Sequence, residues 1–264
     1  MLRFTSLASG SQGNCLVVEA GATRVLVDCG LSPRETRRRL ARRGLEPEAL
    51  RAILVTHEHD DHAGGAFAFA AAHDIEVVLT RGTLHAQREA QAAVQADAVD
   101  HGVQLRLIDG REPFAIDGLE VRPFTVPHDA REPVQFVLSD GAQRLGVLTD
   151  LGTPTPHVID MLSGCDALVL ECNHARDLLW NGGYPRWLKA RIGGPLGHLD
   201  NDAAASLLAA LDRSRLRHVI AAHLSEQNNR PELARAALAR ALGCEPDWVG
   251  LATQADGFDW RALD

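Results

Sequence analysis

In the seven residues THEHDDH (56–62), six side chains carry atoms that bind metal ions: His57, Glu58, His59, Asp60, Asp61 and His62. The cluster directly follows the apolar run RAILV. Alternate side chains of an extended backbone point to one side, so His57 and His59 can converge on a single ion. Asp61 and His62 come where the chain turns into a helix, and they can face a second position close by. Buried together without a cation, these groups would leave desolvated polar atoms unpaired. Three more candidates each end a β-like run: His128 after RPFTVP, Asp150 after RLGVLT and His223 after HVIAA. Side chains at strand ends are held by a rigid sheet, as a catalytic metal site requires. A nitrogen and oxygen donor set without thiolate suits Zn²⁺, Mn²⁺ or Fe²⁺.

The elements that must hold these groups are legible from pattern. Short β-rich runs (LRFTSLA, CLVVEA, TRVLVDCG) open the chain, each bounded by Gly, Ser or Asn. A helix follows, with Ser32 as N-cap, Pro33 first, Glu35 as capping-box partner and Gly44 as its stop. RAILV reads as a buried strand, residues 62–74 as one helix, EVVLT as a strand and residues 81–96 as an Ala/Gln-rich helix. Strands then recur at 103–109, 119–126, 134–140 and 144–150. The last third offers ALVLE, a Gly-rich loop at 181–197, a helix at 201–212, the strand HVIAAHL and a helix at 231–242. Strand groups alternating with helices imply layered α/β architecture. With no linker-like or low-complexity tract, one domain over residues 1–264 is expected.

At 45% hydrophobic and 23% charged residues, the 264-residue chain has globular composition. It has no apolar stretch of the roughly 20 residues that span a bilayer, and its first residues lack the apolar segment of a signal peptide. A cytoplasmic location without a membrane partner is therefore expected. Cys15, Cys29, Cys165, Cys172 and Cys244 are scattered, which points to free thiols rather than a disulfide framework or zinc ribbon. A formal charge of −8 argues against binding nucleic acid by bulk attraction. Against that trend, Arg34, Arg38 and Arg42 recur at helical spacing with Arg39 and Arg43 alongside. Such a stripe can hold a nucleic-acid backbone, but is more often a solvated face whose late arginines complement the helix dipole.

The motif T-H-x-H-x-D-H, a lone later histidine, "TD" after a strand and a last histidine together resemble the metallo-β-lactamase superfamily, and Asp28 in VLVDCG fits its first motif. The resemblance implies an αββα sandwich, two mixed sheets flanked by helices, with two divalent ions in a cleft at one edge. It also implies that His57, His59 and His128 hold one ion, that Asp61, His62 and His223 hold the other, and that Asp150 bridges them. Asp28 would stand behind the ligands and orient the histidine loop, while Glu58 and Asp60 take no part. A dinuclear site of this kind makes a bridging hydroxide available near neutral pH and compensates charge developing on the electrophile.

Four further stretches, SLASGSQGN (6–14), CNH (172–174), GHLDN (197–201) and HLSEQNN (223–229), resemble the narrower YycJ/WalJ-like subfamily. That resemblance implies a 5′-to-3′ exonuclease acting on DNA, with no obligate protein partner. By the same resemblance Asp61 and His198 are catalytic, His198 protonating the leaving oxygen of the scissile phosphate. Ser9, Ser11 and Asn14 would seat a phosphate, and His174 would touch substrate. Asp200 stands where the subfamily's GHLSN motif has serine, and CNHA (172–175) where it has SNHD. His73, His85, His101, His157 and His218 are read as ordinary. Two alternatives remain: a phosphodiesterase for cyclic or short small-molecule esters, and a glyoxalase II-type thioester hydrolase, the latter resting on T-H-x-H-x-D-H alone.

Overall fold

A computed structural model of the chain describes residues 1–93 and 102–263. One mixed sheet contains β1 (Leu2–Ala8), β2 (Cys15–Ala20), β3 (Thr23–Val27), β4 (Ala52–Leu54), β5 (Glu76–Thr80), β6 (Leu105–Ile108) and, beside β1, the returning β14 (Phe258–Leu263). The other contains β7 (Phe114–Ile116), β8 (Leu119–Thr125), β9 (Val134–Ser139), β10 (Arg144–Leu148), β11 (Ala167–Glu171), β12 (His218–Ala222) and β13 (Gly250–Leu251). Each sheet is antiparallel on one side and parallel on the other, with β3 to β6 and β10 to β13 forming the parallel parts.

Alternation within the strands explains the layering. Phe4, Val18, Val25 and Leu54 from the first sheet meet Val121, Phe136, Leu145 and Val169 from the second in a shared apolar core. The opposite faces are apolar too, so each needs a helical cover. α1 (Pro33–Arg42), α2 (Asp60–Ala63), α3 (Ala66–His73) and α4 (Arg81–Ala93) belong to the first half, and Leu40, Phe67 and Phe69 pack against the outer face of its sheet. α5 (Pro156–Leu162), α6 (Arg176–Asn181), α7 (Arg186–Ile192), α8 (Asn201–Ala210) and α9 (Pro231–Leu242) belong to the second, with Leu162, Leu208 and Leu238 in its outer core. The result is the expected αββα sandwich. Among the described residues, no helix is long and apolar enough to cross a membrane.

Several local expectations are corrected. The single helix expected over 62–74 is two, α2 and α3, separated by Gly64 and Gly65. The helical ladder is interrupted because the Gly65 amide donates to the Cys29 carbonyl and the Asp61 carbonyl accepts from Asn14 instead. Only glycine fits there, since a Cβ on Gly65 would lie 1.8 Å from the Leu31 carbonyl oxygen. The 181–197 stretch contains α7, built from RWLKARI, rather than loop throughout. β7 and β14 were not anticipated, because FAI and FDWRAL are too short or too polar to stand out. Ser32 accepts from the Glu35 amide as expected, yet the Glu35 carboxylate turns to Arg38 and Arg39 instead of completing the capping box. Of the helix expected over 81–96, residues 94–96 lie outside the described residues, as does His101. Gly65→Ala is expected to lower stability by about 2–3 kcal/mol in urea unfolding, because backbone rather than a flexible side chain must yield.

Candidate metal centre

Five strand ends on one rim of the sandwich supply the polar cluster. His57, His59, Asp61 and His62 follow β4, His128 follows β8, Asp150 follows β10, Glu171 ends β11 and His223 follows β12. Parallel strands end on the same side, so the sheets aim these positions at a common cleft. Two of the supporting residues take left-handed backbone conformations that non-glycine residues rarely adopt: Asp28 (φ 61°) and His223 (φ 52°). Strain of this kind persists only where the surroundings over-determine it.

Hydrogen bonds behind the cluster settle which ring nitrogen each histidine presents. The Thr56 hydroxyl lies 3.0 Å from both Asp28 carboxylate oxygens and donates there, so it accepts from His57 Nδ1 at 2.9 Å. His62 Nδ1 donates to Asp28 Oδ2 at 2.7 Å, and His128 Nδ1 donates to the Gly197 carbonyl at 3.1 Å. His223 Nδ1 lies 3.4 Å from Glu171 Oε1, which can only accept. Each of the four therefore turns an Nε2 lone pair toward the cleft, the tautomer that metal ligation needs.

Those lone pairs converge. His57 Nε2 is 3.0 Å and His128 Nε2 3.3 Å from the same atom, His59 Nδ1. His62 Nε2 lies 3.4 Å from Asp61 Oδ2 and 3.0 Å from Asp150 Oδ2, while His223 Nε2 is 3.3 Å from Asp61 Oδ2. The trios His57, His59, His128 and Asp61, His62, His223 each keep their candidate ligand atoms within 4.8 Å of one another, as do His57, His62 and Asp150. Acceptors meeting acceptors at such separations repel unless a cation lies among them. Asp150 Oδ2 is buried and makes no hydrogen bond, despite its nearness to His62. The donor set thus fits divalent cations.

Electrostatics point the same way. Burial opposes charge on His62, but Asp150, Asp61 and Asp28 outweigh it and hold the ring well above its ordinary pKa. His223, likewise buried, is raised to about 10 by Asp150, Asp61 and Glu171. Asp61 stays ionised: burial disfavours its charge, and His62 and His223 more than reverse that. The site draws in positive charge, as protons when metal is withheld. Asp28→Asn removes an acceptor behind both His57 and His62. It should weaken metal affinity roughly 10- to 100-fold, read by chelator competition.

Glu171 was missed from sequence, although it ends an apolar strand just as Asp150, His128 and His223 follow theirs. It is fully buried. Oε2 accepts from the amides of Leu151 and Leu199, and Oε1 accepts from His198 Nδ1 at 2.7 Å. Burial works against a charged His198, but Glu171 and Asp150 raise it to about 9. His198 lines the cleft, its ring centroid 5.3 Å from those of both His128 and His223.

The other expected contacts divide. Ser11 is exposed on the cleft wall. Ser9 is buried and accepts from the His223 amide; Asn14 is buried and bonded to Gly10 and the Asp61 carbonyl. Ser9 thus supports a ligand loop, whereas Asn14 Nδ2 also lies 3.4 Å from Asp61 Oδ2 and 3.1 Å from His62 Nε2, so its amide reaches the candidate ligands themselves. His174 is also buried, away from the cleft lining, its carbonyl taking the Asn201 amide. Asp200 does not face the cleft chemistry: Oδ1 caps α8 through the Ala203 amide, and Oδ2 pairs with Arg176 at 2.6 Å. That leaves His198 free of any capping duty. Glu58 accepts from the Arg131 amide, and Asp60 sits on the rim. Lys189, the chain's single lysine, closes the end of α6 by donating to the Trp180 and Gly182 carbonyls.

Comparison with known proteins bears on this site. The family described as beta-lactamase superfamily domain matches residues 23–223. The chain is 33% identical to exodeoxyribonuclease YycJ of Bacillus anthracis, over 98% of this chain and 96% of that protein. It is 30% identical to exodeoxyribonuclease WalJ of Streptococcus pneumoniae, over 99% of this chain and 93% of the other. Among solved structures, the metallo-beta-lactamase fold protein YhfI of Bacillus subtilis superposes with a TM-score of 0.74 at 15% identity, covering 99% of this chain and 100% of that one.

Proposed function

The chain belongs to the metallo-β-lactamase superfamily, in its YycJ/WalJ-like group, and we propose that it is a metal-dependent exodeoxyribonuclease that removes nucleotides from the 5′ end of DNA. Exodeoxyribonuclease is the name its relatives carry. The observation that carries the reading is the meeting, in one cleft, of convergent Nε2 lone pairs with a carboxylate-held histidine.

His57, His59 and His128 would hold one divalent ion and Asp61, His62 and His223 a second, with Asp150 shared between them. Zn²⁺ and Mn²⁺ suit the donors, as does Fe²⁺. Bound there, the ions supply activation of water and compensation of charge on a phosphoryl group. His198 completes the chemistry. Its Nδ1 proton is committed to Glu171, so Nε2 is the atom open to the cleft and able to give a proton to the leaving 3′-oxygen. Ser11 on the wall can donate to a terminal phosphate.

The cleft encloses about 300 Å³, at the small end of ligand sites. Arg191 of α7 pairs with Asp129 of the loop after β8, both lining the cleft. A chain end enters such a space more readily than a continuous strand. The same small volume favours one second reading, hydrolysis of short or cyclic phosphodiesters.

End-labelled single- and double-stranded DNA, with and without a 5′-phosphate, separates the two. Mn²⁺- or Zn²⁺-loaded protein is run beside Asp61→Ala/His62→Ala, with bis(p-nitrophenyl) phosphate in parallel. Stepwise shortening from the 5′ end, absent in the variant, is the expected result. Turnover of the small diester with DNA left intact would transfer the assignment to small esters.

A further inference from the structure

The arginines of α1 divide into two sets. Arg39 and Arg43 turn inward and act as staples: Arg39 Nη1 donates to the Leu7 and Gln254 carbonyls, and Arg43 reaches Thr5 Oγ1 and the Asp256 and Phe258 carbonyls. Arg34, Arg37, Arg38 and Arg42 are exposed. At 100° per residue they occupy an arc of roughly 140° on the outer face, and from Arg34 to Arg42 they extend about 12 Å. Arg38 shares Glu35 with Arg39, and Arg42 lies 3.5 Å from the exposed Asp256. Arg34 and Arg37 have no hydrogen bond or ion pair among the described residues.

Helix stability accounts for Arg42 in the last turn and for Arg38 beside Glu35, but not for Arg34 and Arg37. Arg34 stands in the first turn, where a cation opposes the dipole. Arg34 with Arg38, and Arg38 with Arg42, are like-charge neighbours four apart, an unfavourable spacing. A chain of net charge −8 nevertheless gathers six arginines and one glutamate between residues 33 and 43.

The face is joined to the cleft. Leu31, just before the Ser32 cap, lies so close to Gly13 that a Cβ there would be 2.7 Å from its Cδ2. Gly30 touches the Asp61 carbonyl, where a Cβ would come within 1.9 Å. Gln254, whose carbonyl takes Arg39, accepts the Gln12 amide on Oε1 at 2.8 Å. The start of α1, the 9–14 loop that carries Ser11 and the Asp61 turn are one rigid corner of the cleft.

We propose that the outer face of α1 is the docking surface for the DNA backbone beyond the nucleotide being removed, with Arg34, Arg37 and Arg38 each meeting a phosphate. This rests on the nuclease reading above and names where its polymer runs. Charge complementarity selects the occupant, and the shared corner aligns it with the cleft. The contacts are sequence-independent, as an exonuclease needs.

The test is the triple variant Arg34→Gln/Arg37→Gln/Arg38→Gln, compared with wild type for salt-dependent binding of a fluorescein-labelled 20-nucleotide strand and for DNA hydrolysis. Each lost phosphate contact removes about 0.7 from the slope of log affinity against log salt. The slope should therefore fall by about 2, with affinity at 0.1 M salt down roughly 10- to 100-fold. KM for DNA should rise while kcat changes little. Arg34→Glu is the folding control: it places an acid in the first turn, so its Tm should be no lower than wild type while DNA binding weakens. Equal binding by wild type and triple variant, with DNA still degraded, would overturn the docking surface and leave the nuclease standing. A wild type that neither binds nor degrades DNA would overturn both.

Discussion

Asp150→Ala is expected to reduce DNA hydrolysis by roughly 10³-fold or more, the several kcal/mol that charge compensation by divalent ions contributes. Its carboxylate reaches histidines of both candidate trios and His198. Its Oδ2 lies 3.0 Å from His62 Nε2, while Oδ1 is 3.3 Å from His198 Nδ1 and 3.4 Å from His223 Nδ1. Removing it deletes the carboxylate proposed to be shared by both trios and one of the two that raise His198. The measurement pairs steady-state hydrolysis with metal content after gel filtration. Both should fall. A variant that keeps a full metal complement and a tenth of the activity would show that Asp150 is not the shared ligand.

His198→Ala should cost about 10²- to 10⁴-fold on DNA, the usual contribution of a positioned proton donor, yet leave metal content at the wild-type level. Chemistry distinguishes this loss from a general defect. The 3′-oxygen of DNA leaves poorly unless protonated, whereas p-nitrophenolate leaves without help. Hydrolysis of bis(p-nitrophenyl) phosphate should therefore fall only a few-fold in the same variant. Glu171→Gln should share the DNA-specific pattern in weaker form, since it keeps an acceptor for Nδ1 but loses the charge. Equal losses on both substrates for His198→Ala would make His198 a structural support.

How much was legible beforehand depended on the range of the signal. The cluster at 57–62 was plain because ligand types at short spacing after an apolar run leave little room for another explanation. Asp150, His128 and His223 were found as polar residues closing apolar strands. Glu171 obeys the same rule and was passed over, its strand being read only as core. The two helices at 60–73 were merged because the pattern cannot show that the Gly65 amide turns to the distant Cys29 carbonyl. For Ser9, Asn14 and His174 the sequence names a loop but not the direction of its side chains. Ser9 is taken by the His223 amide, Asn14 bonds Gly10 and the Asp61 turn with Nδ2 also 3.1 Å from His62 Nε2, and His174 is buried with its Nδ1 unpartnered among the described residues. β14 could be known only from its partner, since FDWRAL becomes a strand by pairing with β1 at the other end of the chain.

The ligand groups come from opposite sheets, β4 delivering its four and β8, β10 and β12 the rest, so the centre has a history as well as a geometry. During synthesis the THEHDDH segment emerges before His128 and long before His223, so the first candidate trio is complete near mid-chain and the second only near the end. Capture by the full proposed set would then wait until the second sheet has folded and docked, a long-range closure of the slow kind. Metal uptake during refolding then serves as a clock for the last step. A fluorescent zinc indicator should lose its signal with the slowest phase of burial, not with the appearance of helix, and an immature chain stays catalytically silent.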